Sequence, residues 1–110
     1  MKQGEIWYVD LNPVKGSEQA GYRPVVIVSG NLMNSHLNIV ICCPLTTQVK
    51  NYKGNVVLEP NLTNNLDKIS EVITFHIRSI SKERMVKKVG AIKPTELSLI
   101  RKCLDEILNY

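Results

Sequence analysis

The sequence predicts a mainly β protein with short helices, a compact β-barrel closed by a C-terminal amphipathic helix. Three observations carry that expectation. Five or six short apolar segments are separated by Gly, Pro and Asn clusters, the spacing of strands joined by tight connections. From Thr95 onward the period changes: Leu97, Ile100, Cys103, Leu104, Ile107 and Leu108 recur at helical spacing, with Glu96, Arg101, Lys102, Asp105 and Glu106 on the other side. The chain has 110 residues, 44% hydrophobic and 22% charged, the size and balance of one soluble domain around one core, so residues 1–110 are read as a single domain.

Each element follows in order. Glu5 to Leu11 (EIWYVDL) is the first strand. After it comes a loop in which Gly16 and Gly21 permit unusual backbone angles and Ser17, Glu18 and Gln19 are polar. Arg23 precedes Pro24, and a residue before proline is pushed toward extended geometry, so Arg23 begins the strand that runs on through PVVIVS to Ser29. Its guanidinium then stands at a fixed place beside the loop. NLMNSHLN, residues 31–38, is hydrophilic and reads as a loop holding His36, and Asn38 to Cys43 is a continuous apolar strand. PLTTQ, residues 44–48, puts two threonines at a strand end, where side chains are both held and exposed. Asn55 to Leu58 and Val72 to Ile80 are further strands, the second with His76 inside it beside Phe75 and Ile77. Ser81 is placed to cap a helical turn within SISKER, Val86 to Ile92 supplies the last strand, and the helix closes the fold.

Composition narrows the chemistry. The N-terminus lacks the apolar run of a signal peptide, and no stretch approaches the roughly 18 apolar residues of a membrane span, so a cytoplasmic protein is expected. Of three cysteines, Cys42 and Cys43 are adjacent and point to opposite faces of a strand, which suits neither a disulfide framework nor a zinc site. All three, with Cys103, read as core residues of a reducing compartment. There is no HExxH, no paired CxxC, no Walker-type glycine loop and no GxSxG. Net charge is +4, and Arg78, Lys82, Arg84, Lys87, Lys88 and Lys93 face a single acid, Glu83, over residues 78–93. That run is either a solvated face or a surface for phosphates or an acidic polypeptide. His76 is either a half-buried strand histidine or a surface contact. The threonine pair is either an ordinary strand end or, with Arg23, a cation plus a neutral donor able to stabilise charge on a pentavalent phosphorus without a metal.

GEIWYVDLNPVKGSEQAGYRPVVIVS at Gly4 to Ser29, CPLTTQ at Cys43 to Gln48 and HIRSISKERMVKKVGAI at His76 to Ile92 resemble, in order and spacing, the signature blocks of the MazF/PemK/Kid toxins. The resemblance covers essentially the whole chain. It implies the SH3-like barrel of the CcdB/PemK/MazF type and the toxin of a type II toxin–antitoxin pair: a homodimeric endoribonuclease, needing no metal or other cofactor, that cuts single-stranded RNA at short motifs. The resemblance places the catalytic arginine on Arg23 and the catalytic threonine on Thr46. RNA contacts fall on Asn12, Pro13, Ser17, Glu18, Gln19 and Gly21 of the glycine-containing loop, on Thr47 and Gln48, and on His76, where related toxins often have glutamine. The implied partner is an antitoxin with an acidic C-terminal segment; no membrane is involved. One departure stands out, since the aspartate that the PemK/Kid branch carries two residues after an arginine is absent, those positions being Ile73 and Phe75. Two other readings share the fold: a CcdB-like gyrase-poisoning protein, and a catalytically silent RNA- or antitoxin-binding module.

Overall fold

In a computed structural model that describes residues 1–12, 21–52 and 55–109, seven strands and two helices follow one another. The strands are β1 (Glu5–Asp10), β2 (Tyr22–Ile27), β3 (Ile39–Thr46), β4 (Val56–Leu58), β5 (Ser70–Val72), β6 (Arg78–Ser81) and β7 (Met85–Ala91). The helices are α1 (Asn31–His36) and α2 (Pro94–Asn109). All pairings are antiparallel, in the order β4-β5-β3-β2-β1-β7, with β6 also bonded to β3. The mainly β architecture is as expected, but among the described residues the ladder runs from β4 to β7 without closing on itself. No helix among these residues is long and apolar enough to cross a membrane.

Strand alternation splits the apolar residues into two cores. Val9, Val25, Ile27, Val40, Cys42, Ile80 and Met85 cluster on one face. Ile6, Val26, Cys43, Leu45, Val56, Leu58, Val72, Ile92 and Ile100 cluster on the other, where α2 packs. Each fully buried aliphatic side chain contributes about 1.5–3 kcal/mol. Cys42 and Cys43 fall one in each cluster, and burial pushes both thiols up to about 12, so they are protonated core residues. α2 begins with Pro94 at its first turn, and Glu96 reaches back to accept a hydrogen bond from the Lys93 amide at 2.8 Å, half of a capping box. Its apolar stripe is core only from Leu97 to Leu104; beyond that Ile107 is exposed and Leu108 is 82% exposed.

Two segments depart from the sequence reading. The hydrophilic stretch read as a loop forms α1, because its polar residues find partners: the Asn34 amide donates to the Ser29 carbonyl at 2.9 Å, Ser29 Oγ donates to Asn34 Oδ1, and the Lys82 amine donates to the Asn34 carbonyl. Composition alone does not reveal such pairing. The strand expected from Val72 to Ile80 is broken into β5, a 3₁₀ turn at Thr74–His76 that carries His76, and β6. Pro44 explains the break. The Ile73 amide donates to the Pro44 carbonyl at 2.8 Å, and an unbroken ladder would require the reciprocal bond from the Pro44 nitrogen, which has no hydrogen. Pairing resumes at Cys42↔Arg78, so the edge segment takes five steps from Ile73 to Arg78 while β3 takes two from Pro44 to Cys42. The surplus is extruded as the turn. A second 3₁₀ turn, Lys82–Arg84, lies where Ser81 was expected to cap one, but Ser81 makes no side-chain cap bond.

Candidate active site

The register that builds the first core also builds the site. β2 and β3 pair through Val25↔Pro44, Val26↔Cys43 and Ile27↔Cys42, and continuing that register places Arg23 opposite Thr46, on the same face as Val25 and Ile27. Core residues on that face thus give way, at one end of the strands, to a cation facing a hydroxyl. Arg23 is exposed on its strand and donates from Nη1 to the Tyr22 carbonyl at 2.8 Å. Thr46, the last residue of β3, is half-buried, and its Oγ1 accepts the Gln48 amide at 3.1 Å. That bond uses the oxygen as acceptor and leaves the hydroxyl proton to be donated.

Both residues line a cleft of about 1130 Å³. Thr47, Gln48 and His76 line it too, so the threonine segment and the histidine, distant in sequence, meet the arginine there. Lys50 and Arg78 add two more cations, and among the described residues no aspartate or glutamate lines it. Such a cleft is electrostatically suited to a polyanion. Of the basic run at residues 78–93, only Arg78 belongs to this lining. Lys82 bonds α1, Arg84 Nη1 donates to the carbonyls of Asp10 (3.1 Å) and Asn12, and Lys88 pairs with Glu5 at 3.2 Å. The Glu5 carboxyl is pushed up by partial burial, yet bonds from Trp7, the Lys2 amide and Lys88 hold it below its ordinary value.

The loop contacts expected after β1 divide in two. Pro13, Ser17, Glu18 and Gln19 lie outside the described residues. Asn12 is 7% exposed; its backbone amide and side-chain amide both donate to Asp10 Oδ1, at 3.0 and 2.8 Å. Gly21 has no left-handed φ. Its glycine is required because a Cβ there would fall on the Asn12 side chain, while its carbonyl accepts the Leu11 amide at 2.9 Å. These two residues close the base of the loop.

Sequence reasoning missed Tyr52, Phe75 and Glu71. The two rings line the cleft, and Glu71 lies fully buried behind it. Successive backbone amides of Lys50 (2.7 Å), Asn51 (3.2 Å) and Tyr52 (3.0 Å) converge on its carboxylate, and Asn55 Nδ2 adds a bond at 3.1 Å. Burial alone would raise the Glu71 carboxyl; those bonds outweigh it and hold it below the ordinary 4.5. The one available signal was a carboxylate directly before the apolar pair Val72 and Ile73.

Fold and site together define a small antiparallel-β protein with a cationic cleft, free of carboxylates among the described residues, set at the end of two paired strands. The sequence matches the PemK-like, MazF-like toxins of type II toxin–antitoxin systems over residues 2–108, and the chain belongs to that family. It is 34% identical over 107 residues to the endoribonuclease toxin MazF of Escherichia coli K12, covering 96% of this chain and 92% of that one. It is 30% identical over 106 residues to the endoribonuclease MazF of Staphylococcus saprophyticus, covering 96% and 88%. Among solved structures, MazF from Deinococcus radiodurans superposes with a TM-score of 0.79 at 24% identity, over 100% of this chain and 97% of that one. A mycobacterial endoribonuclease in complex with its cognate antitoxin superposes with a TM-score of 0.81 at 23% identity, over 98% and 94%. Both likenesses bear on the fold.

Proposed function

We propose that this protein is the endoribonuclease toxin of a type II toxin–antitoxin pair, cutting single-stranded RNA and so inhibiting translation and growth. The observation that carries the reading is that Arg23 and Thr46, at the ends of the paired strands β2 and β3, line one cleft together with two further cations and, among the described residues, no carboxylate. RNA brings its own nucleophile, the 2′-hydroxyl. Its oxygen bonds to phosphorus as the bond from phosphorus to the 5′-oxygen breaks. The 2′ proton passes to water and the departing 5′-oxygen takes one from water, while the enzyme holds the two oxygens in line and neutralises the charge gathering on the phosphoryl oxygens. Arg23 donates charge-assisted hydrogen bonds to the phosphate and, being permanently protonated, acts by electrostatic stabilisation. Thr46 supplies the neutral donor. No metal or other cofactor enters this chemistry, and its products are a 2′,3′-cyclic phosphate and a 5′-hydroxyl. Thr47, Gln48 and His76 contact the RNA from the cleft wall, and residues of the 12–21 loop supply further contacts.

The relatives' names support an endoribonuclease over a gyrase poison or a silent binding module. Their complexes with antitoxin support a partner of the same kind here, an antitoxin whose acidic C-terminal segment lies in the cleft, with the toxin acting as a homodimer in the cytoplasm. The test is incubation of purified protein with a long single-stranded RNA in EDTA. Discrete cleavage, lost in Arg23→Ala, is expected; intact RNA at micromolar protein would overturn the reading.

A further inference from the structure

Tyr52 and Phe75 are large apolar rings left 48% and 50% exposed at the cleft wall. They come from separate segments and meet edge to face, with centroids 5.7 Å apart and planes at 73°. The His76 ring continues the row 4.8 Å from Phe75, at 79°. Neither ring is there by default. The amides of Lys50, Asn51 and Tyr52 form a nest on the Glu71 carboxylate, with Asn51 in the left-handed region at φ 52°, and this fixes the segment that presents Tyr52. Asn55 joins that clamp to the other ring: its Nδ2 donates to Glu71, while its Oδ1 accepts the Thr74 amide at 3.0 Å and the Thr74 hydroxyl at 2.8 Å, at the start of the turn that carries Phe75. One buried carboxylate therefore sets the relative position of two exposed rings.

We propose that Tyr52 and Phe75 form a preorganised aromatic shelf that stacks an unpaired base next to the scissile phosphate, with Glu71 as the positioning residue beneath it. The inference rests on the ribonuclease reading, which puts the phosphate between Arg23 and Thr46 in the same cleft. Bases splayed from single strands are held on aromatic faces, and such stacking tolerates any base because each has a π-face. Its contribution is uniform binding, present before and during the reaction, so it appears in KM and spares kcat.

The experiment uses an oligoribonucleotide carrying the mapped cleavage motif and a series with one abasic nucleotide at each position flanking the cut. In the wild type, one abasic position should raise KM about tenfold. Phe75→Leu should raise KM on the intact substrate about tenfold with kcat within about twofold, and should be indifferent to that abasic position. Phe75→Trp should restore both properties. Glu71→Gln, which puts an amide among three amide donors, should lose the abasic sensitivity in the same way; if it fails to fold by circular dichroism, Phe75→Leu and Tyr52→Leu at exposed positions decide the matter. An unchanged abasic penalty in Phe75→Leu would overturn the shelf while leaving the ribonuclease standing. So would a Phe75→Leu protein with normal KM for RNA but weakened affinity for the antitoxin's acidic peptide, because the rings would then belong to that partner. A wild type that cuts no RNA would remove both.

Discussion

In the proposed mechanism Arg23 and Thr46 are the whole of the side-chain machinery, because the substrate carries its own nucleophile. Each is held by a strand whose core-facing neighbours are already buried, so its position comes from packing that exists for stability. Removing one preorganised donor typically costs about 2.7–4 kcal/mol of transition-state stabilisation. Arg23→Ala and Thr46→Ala should therefore each lower kcat on the order of a hundred- to a thousand-fold, with circular dichroism spectra like the wild type. Thr47→Ala, one residue past the strand end, should be milder. Single-turnover cleavage assays check all three, and wild-type rates in folded Arg23→Ala would remove it from the mechanism. Glu71 yields a stability prediction. Its folded carboxyl titrates below its unfolded value, so its contribution is fully present above about pH 4.5 and is lost as pH falls through the folded value. Glu71→Gln should be less stable than wild type at pH 7 by about 1–3 kcal/mol, and denaturant melts of the two should converge as pH falls through the folded carboxyl's lowered value. Parallel melting curves at every pH would show that the carboxylate charge is irrelevant to the clamp.

Among the elements, the break between β5 and β6 decides the most. Pro44 ends the β5 ladder, and the extruded turn presents Phe75 and His76 to the cleft. β7 shows the opposite device, where a missing side chain permits contact. A Cβ on Gly90 would meet the backbone carbonyls of Thr63 and Asn64, and at this point the Ala91 amide donates to the Thr63 carbonyl at 3.1 Å. Backbone cannot yield as a flexible side chain does, so Gly90→Ala should destabilise the fold by about 1–3 kcal/mol, read from a urea melt. Because that contact is remote from the cleft lining, kcat of the folded fraction should be unchanged. A substitution with no stability cost would mean that the 61–65 segment is free to move away.

For the molecule as a whole, charge placement matters more than net charge. Arg23, Lys50 and Arg78 line the cleft, whereas Lys82, Arg84 and Lys88 are engaged elsewhere. Binding of a non-cleavable single-stranded RNA through those three cations should show a log–log salt slope of about −2, from roughly 0.7 counterions released per neutralised phosphate. Arg78→Ala should shrink the slope by about 0.7, and Lys87→Ala should leave it unchanged. An acidic antitoxin segment drawn to the same cations should compete directly, and its affinity should fall with salt in parallel. Titrating the RNA with and without the antitoxin peptide checks this; independent, simultaneous binding would point to inhibition from a second site. Cleavage should also be indifferent to EDTA, and a 2′-deoxy sugar at the cut should bind without being cut.

The sequence by itself determined the strands, because alternation and continuous apolar runs report burial directly, and the closing helix, because its period differs from theirs. Its local motifs RP and PLTT drew attention to Arg23 and to the threonine pair at a strand end, and the resemblance to the toxin family singled out Arg23 and Thr46. Other features came only from the tertiary structure. Within the hydrophilic 31–38 segment Asn31–His36 is a helix because Asn34 is bonded locally by Ser29 and from across the fold by Lys82, and the Val72 to Ile80 strand is broken because the proline facing it, on β3, has no N–H to give. The exposed C-terminal end of the α2 stripe and the internal bonding of Lys82, Arg84 and Lys88 follow equally from what packs nearby. Glu71, Tyr52 and Phe75 carry no motif, and they become a site only where Asn55 joins the loop to the turn. Periodicity records which face a residue buries, a local property; which partner meets a polar group is settled by pairings between segments far apart in the chain.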